Sequence, residues 1–390
     1  MSEIVYLDNA ASTAVDPRVV ETMLRCLDSA GDFANPSATG HQPGRSARGH
    51  VERARGEVAA LVGAAPEQVV WTSGATEADN LALLGASRYY RRRGTHLVTS
   101  RTEHPAVLDA CRQLEREGFE VTYLRPSAEG IVEPWQVEEV LRADTVLVSL
   151  MHVNNEIGVV QDVAAVGRLC RSRGILFHVD AAQSVGKLPI DVERDCIDLL
   201  ALTAHKVHGP KGVGALVVRR EPRLGLVPLV YGGGQELGLR SGTVPTHQVA
   251  GMGAAMRIAG EQMDSDGRRI AALRERLWSG LAASPGVRLN GHETRRVPGI
   301  LNVAFEGVEG ESLLFELPGL AVTSGSACAT SHAEPSYVLR SLGLSDRLAQ
   351  SSLRLSLGRF STVEDVDAAV ASIERALRKL RAVASPESVR

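Results

Sequence analysis

From about residue 45 to residue 220, short apolar runs alternate with stretches of helical spacing. The runs at 68–72, 96–100, 120–124, 145–152, 175–180, 199–202 and 213–218 read as strands. Several are unbroken series rich in Val, Leu and Ile, the pattern of strands covered on both faces. Helical patterns fill most of the intervals, at 76–92, 106–117, 137–141 and 163–173. Strand–helix–strand alternation predicts an α/β fold with a mostly parallel central sheet flanked by helices. The rhythm changes after about residue 245. A long helical stretch at 249–281 precedes strand candidates at 288–289, 300–305, 321–323 and 353–357, mixed with helices at 311–317 and 363–380. That mixture predicts a smaller α+β domain. The expected division is a large domain over 15–260 and a small domain built from 1–14 plus 261–390.

A chain of 390 residues, 44% of them hydrophobic, has the material for a large core and a smaller second one. The net charge of −3 gives no basic excess for nucleic acid or an anionic membrane surface, and neither partner is expected. The run Arg91-Arg92-Arg93 is short and reads as a solvated helix end. The N-terminal residues lack a basic head and an apolar core, so no signal peptide is expected. No apolar run approaches the ~20 residues that span a bilayer. The cysteines, Cys26, Cys111, Cys170, Cys196 and Cys328, are scattered and never in Cys-x-x-Cys spacing. That fits a reducing cytoplasm and argues against a disulfide framework or a structural zinc site. Cys26, Cys111 and Cys170 read as small packing residues.

Chemistry gathers where strands end. The strand 175–180 runs into Asp180, and in an open α/β sheet ligands bind beyond the carboxyl ends of strands. The next strand ends in Thr203-Ala204-His205-Lys206, followed by a loop with Gly209, Pro210 and Gly212. A lysine there forms a Schiff base with an aldehyde if burial or nearby cations destabilise its ammonium. Each residue alone is more often a cap or an exposed loop lysine. Together, Asp180 and Lys206 fit the pattern of pyridoxal 5'-phosphate (PLP): a Schiff-base lysine and an acid for the pyridine nitrogen. Upstream, Thr72-Ser73-Gly74-Ala75-Thr76 joins a strand to a helix, a natural phosphate cup, although Thr76 to Asp79 also suits a plain capping box. His104 and Asn155 follow two further strands. The stretch 323–331 is small and polar, exposes Cys328, and suits a mobile loop that carries a thiol in and out of a site. Arg354 begins a short strand and has the planar fork that grips a carboxylate. The Gly-rich segment 232–243 could add to a phosphate site, including that of a neighbouring subunit.

These pieces resemble the cysteine desulfurases, within the fold type I PLP-dependent enzymes. The likeness runs from Tyr6-Leu7-Asp8-Asn9 through Asn35-Pro36-Ser37, Thr102-Glu103-His104, 151–158 and Arg240-Ser241-Gly242-Thr243 to 356–360. The loop 324–328 resembles that of the housekeeping desulfurases of bacterial iron–sulfur cluster assembly. The resemblance implies that L-cysteine becomes L-alanine, with a persulfide on Cys328 passed to acceptors for iron–sulfur clusters or tRNA thiolation. It implies Lys206 as Schiff-base lysine and general acid–base, Asp180 at the pyridine nitrogen, Gln183 at the ring oxygen and His104 against the ring. Ala75, Thr76, Thr203, His205 and, from a partner subunit, Thr243 would hold the phosphate; Asn155 would touch the coenzyme and, with Arg354, hold the substrate carboxylate. No metal is expected in the catalytic site, although Cys328 could touch a transferred cluster. A homodimer is implied, with a sulfur-acceptor scaffold as partner. The chain stops at Arg390, where similar enzymes continue into a scaffold-docking tail, so docking is expected to be weakened. Thr203 stands where relatives commonly have Ser, and His208 where they often have an aromatic residue. The competing expectations are another PLP reaction on this fold (a transaminase or a selenocysteine or cysteine-sulfinate lyase) and a sulfur-relay protein without catalysis.

Overall fold

The computed structural model describes residues 4–324 and 334–384. Twelve strands are defined among them. They are β1 (Val5–Tyr6), β2 (Val69–Thr72), β3 (His96–Ser100), β4 (Glu120–Leu124), β5 (Thr145–Met151), β6 (Leu176–Asp180), β7 (Leu199–Thr203), β8 (Gly214–Val218), β9 (Val287–Leu289), β10 (Ile300–Phe305), β11 (Leu320–Ala321) and β12 (Ser352–Ser356). Seven form one sheet in the order β2-β8-β7-β6-β5-β3-β4. Neighbours are parallel from β4 to β7, and β8 runs antiparallel to both β7 and β2. The sheet is therefore mostly parallel, as the apolar runs predict. Successive residues serve opposite faces, as the two-residue strand period requires. Leu97, Leu147, Leu176 and Leu199 face helices Ala75–Tyr90 and Pro105–Arg116, whereas Val98, Val148, Phe177 and Leu200 lie in the core on the other side.

That second core is closed by two helices packed through small side chains. Helix Gln42–Leu61 buries Gly44, Ala47, Val51, Ala54 and Val58, spaced by threes and fours along one face. It lies on the first half of helix Thr246–Ala282 so closely that a Cβ at Gly253 would come within 2.5 Å of the Ala54 Cα. The second half contributes Leu273, Leu277 and Leu281 to a third core. There it meets β10, β12 and helix Val363–Ala384. The order β12-β10-β9 forms an antiparallel sheet, and β1 pairs in parallel with β11. Among the described residues no helix is long and apolar enough to cross a membrane. Cys26, Cys111 and Cys170 are buried, as packing residues are.

Candidate active site

The carboxyl ends of β3, β5, β6 and β7 open on one cavity of about 490 Å3. Ala75, Thr76, His104, Asn155, Asp180, Gln183, Thr203, His205, Lys206 and Arg354 all line it. Of the other expected site residues, Thr243 is exposed and does not line the cavity of its own chain. Cys328 lies outside the described residues. One element thus supplies Asp180, the adjacent strand end supplies Thr203 and Lys206, and Arg354 comes from the middle of β12 in the other sheet.

Burial sets the charges. It lowers the Lys206 ammonium below the ordinary lysine value; the Asp180 carboxylate opposes that shift and Arg354 adds to it. His205 is pushed down to about 4 by burial, then by Lys206, Lys211 and Lys187, so its ring is neutral at pH 7. Burial also lowers His104, against Asp180 and with Lys206. His104 is the N-cap of helix Pro105–Arg116: its Nδ1 accepts from the Ala106 N–H at 3.1 Å. The neutral ring therefore carries its proton on Nε2. Asp180 Oδ1 accepts from the Ala182 N–H at 2.8 Å, which fixes the carboxylate at the strand end.

At the opposite end, helix Ala75–Tyr90 begins after Gly74 with no side-chain cap. The plain capping reading of Thr76 is thereby corrected. Thr76 sits inside the first turn, and neither oxygen of Asp79 has a hydrogen-bond partner. Glu77 instead reaches back to the Ser73 N–H at 2.8 Å and takes Arg240 at 3.0 Å. The first-turn N–H groups are left toward the cavity side, the arrangement that receives a phosphate. Arg240 ties the segment carrying Thr243 to that same turn.

Arg354 is almost wholly buried. Its Nη2 donates to Asp8 Oδ1 at 2.8 Å and its Nη1 to the Asn155 carbonyl at 3.0 Å. Its Nε and the Asn155 Oδ1 are buried without a protein partner. Such atoms are costly unless a ligand satisfies them. His208 takes over the expected aromatic position by packing edge-on to Phe360, 5.0 Å between ring centres. Its Nδ1 contacts the Ala14 carbonyl and its Nε2 accepts from the Arg359 N–H.

Several buried groups in or beside the site were not anticipated. Asp79 lines the cavity floor, and burial, then Asp180 and Glu103, pushes its carboxyl well above the ordinary value. Glu103 is fully buried and likewise pushed up. Asp79 lies 3.4 Å from the Nε2 of His178, whose Nδ1 meets Ser149 Oγ at 2.9 Å. His178 and Asp180 are two apart on β6 and so share a face, the only sequence sign that they belong together. Glu156 accepts from Ser336 Oγ at 2.5 Å and is raised to about 7 by burial.

The aminotransferase class-V family model matches residues 5–369. The enzyme named cysteine desulfurase IscS of Aeromonas hydrophila is 58% identical over 377 residues, covering 97% of this chain and 93% of that enzyme. The chain belongs to the cysteine desulfurase family. Its fold superposes on that of a NifS-like protein with a TM-score of 0.89, 35% identity, and coverage of 97% of this chain and 100% of the other. A structure described as SspA in complex with cysteine matches with a TM-score of 0.81 and 39% identity, over 92% of this chain and 99% of that one. Cysteine desulfurases of this family use PLP, and the donor set here fits it. A buried amine faces a buried carboxylate, a helix start presents free N–H groups, and Arg354 Nε and Asn155 Oδ1 await polar partners.

Proposed function

We propose that the chain is a PLP-dependent cysteine desulfurase that converts L-cysteine to L-alanine and carries the sulfur as a persulfide on Cys328 for iron–sulfur cluster assembly. The observation that carries this reading is the convergence of Lys206, Asp180 and Arg354 on one cavity in a chain so similar to cysteine desulfurases. Bound PLP supplies an electron sink for the carbons of the substrate. Lys206 would hold the coenzyme, Asp180 would face its ring nitrogen and Gln183 its ring oxygen. The N–H groups of Ala75 and Thr76, with Thr203 and His205, would bind the phosphate.

Arg354 and Asn155 would orient the substrate carboxylate. Lys206, its ammonium destabilised by burial, is the group free to take the proton from Cα. His104 has its Nδ1 engaged in the helix cap, so it presents a donor rather than a base. The Cys328 thiolate forms an S–S bond with the substrate sulfur as the Cβ–S bond breaks, and protonation at Cβ leads to alanine. The reading includes a cytoplasmic homodimer in which a second copy contributes Thr243, in keeping with its exposure.

The test is a persulfide trap read by mass spectrometry, with L-cysteine as substrate and borohydride reduction run beside it. Wild type should gain one sulfur at Cys328 and carry reduced coenzyme at Lys206; Cys328→Ala should lose turnover but keep the coenzyme. Full cysteine turnover by Cys328→Ala would refute the persulfide step, and coenzyme fixed elsewhere would refute the site.

A further inference from the structure

The strand β6 is followed by a helical turn in which Val185 N–H bonds to the Ala181 carbonyl and Leu188 N–H to the Ser184 carbonyl. One turn separates Gln183 from Lys187, which places their side chains on one face. Lys187 Nζ donates to Gln183 Oε1 at 3.1 Å, and Gln183 Nε2 donates to the Ala10 carbonyl at 2.7 Å. An ammonium has no acceptor and a carbonyl has no donor, so the two contacts fix which way the carboxamide points. The oxygen faces Lys187, and the NH2 group keeps one hydrogen for the cavity that Gln183 lines.

Lys187 itself is half-buried, and among the described residues no ion pair to a carboxylate involves it. It lines a separate cavity of about 60 Å3 behind the site, shared with Lys206, His208 and Asp266. Asp266 is engaged by Arg359 at 2.8 Å. An amine withdrawn from water is expensive without a carboxylate, and among the described residues the side-chain hydrogen bond this one makes is to Gln183, the residue proposed to face the coenzyme. Burial, then Lys206 and Arg354, brings the Lys187 amine down to about 7.

We propose that Lys187 is a positioning residue that holds the Gln183 carboxamide with its N–H toward the ring oxygen of the coenzyme. This rests on the proposed placement of that oxygen at Gln183. Ala10 anchors one end of the amide and Lys187 the other, and the hydrogen bond at the oxygen strengthens the N–H as a donor. A donor facing the ring oxygen favours its ionised form; a carbonyl facing it favours the protonated form.

The test is the pH at which the visible absorbance of the bound coenzyme titrates in the holoenzyme. Lys187→Met should move it upward by about one unit. Lys187→Arg, for which the adjoining cavity leaves room, should titrate near wild type. In a Gln183→Ala background, Lys187→Met should add nothing further, because the two act as one unit. A wild-type titration in Lys187→Met, or an undiminished shift without Gln183, would overturn the role. If the Met variant does not fold, Lys187→Gln, which is too short to reach, takes its place with the same expectation. Borohydride trapping in each protein keeps the outcomes apart: wild type that fails to trap coenzyme at Lys206 refutes the site, not the part played by Lys187.

Discussion

Arg354 offers the sharpest test of how substrate is held. Its side chain is 5% exposed, and two of its donors are already committed, one to Asp8 at 2.8 Å and one to the Asn155 carbonyl at 3.0 Å. What remains for a ligand includes the buried Nε, which has no protein acceptor. A charge-assisted hydrogen bond contributes ~1.5–3 kcal/mol, and truncating one partner of a buried charge pair costs ~2–5 kcal/mol. Taking ~3 kcal/mol as the share of a substrate carboxylate gives roughly a 100-fold change in affinity. The assay compares the Kd of L-alanine, which has the carboxylate, with that of ethylamine, which lacks it, by the spectral change of the holoenzyme. In Arg354→Gln the ratio of the two constants should collapse by about 100-fold. Arg354→Lys keeps the charge but not the fork and should lose about 10-fold. General damage to the site weakens both ligands and leaves the ratio alone. A ratio unchanged in both variants refutes the carboxylate role.

Two further results are expected. Burial raises Glu156 from 4.5 to about 7, so the folded protein holds a proton that the unfolded chain has released; stability is full below pH 4.5 and falls as pH rises through 7, by ~3 kcal/mol. In Glu156→Gln that decline should vanish from thermal melts taken across pH 5 to 8, and an unchanged slope would place the titration elsewhere. His104→Ala should lose about 1 kcal/mol with its helix cap, whereas His104→Asn restores an N-cap acceptor and with it the melting temperature. Any fall in kcat that persists in His104→Asn measures the ring itself, and full recovery of kcat would reduce His104 to its cap.

The strands were legible because most of the sheet is covered on both faces, so burial writes itself as continuous Val, Leu and Ile. Helix Gln42–Leu61 was not. Its buried stripe is Gly44, Ala47, Val51, Ala54 and Val58 among many charges, and small residues do not register as hydrophobic. Their spacing of threes and fours was the available signal, and it is explained only by the neighbouring backbone at Gly253. The short helices Tyr337–Ser341 and Asp346–Gln350 were equally unmarked, since each depends on a serine cap, Ser336 or Ser345, more than on periodicity.

The site shows the same division. Residues at strand ends, such as Asp180 and Lys206, were legible because chain order alone puts them at one edge of the sheet. Asp79, Glu103 and Lys187 were not, because a charged letter in a sequence carries no sign of its burial. Yet burial decides what each one does. Lost water pushes both carboxyls up, Asp180 adds to both shifts, and Glu103 adds further to that of Asp79. Of the two, Asp79 lines the cavity, where the upward shift weakens the negative charge beside Asp180. Lys211 and Arg354 line the same walls, and Glu77, which also lines them, is paired with Arg240. Such walls would suit the phosphate and the carboxylate of the proposed reaction. A fully ionised Asp79 on that lining would work against an anion in the cavity.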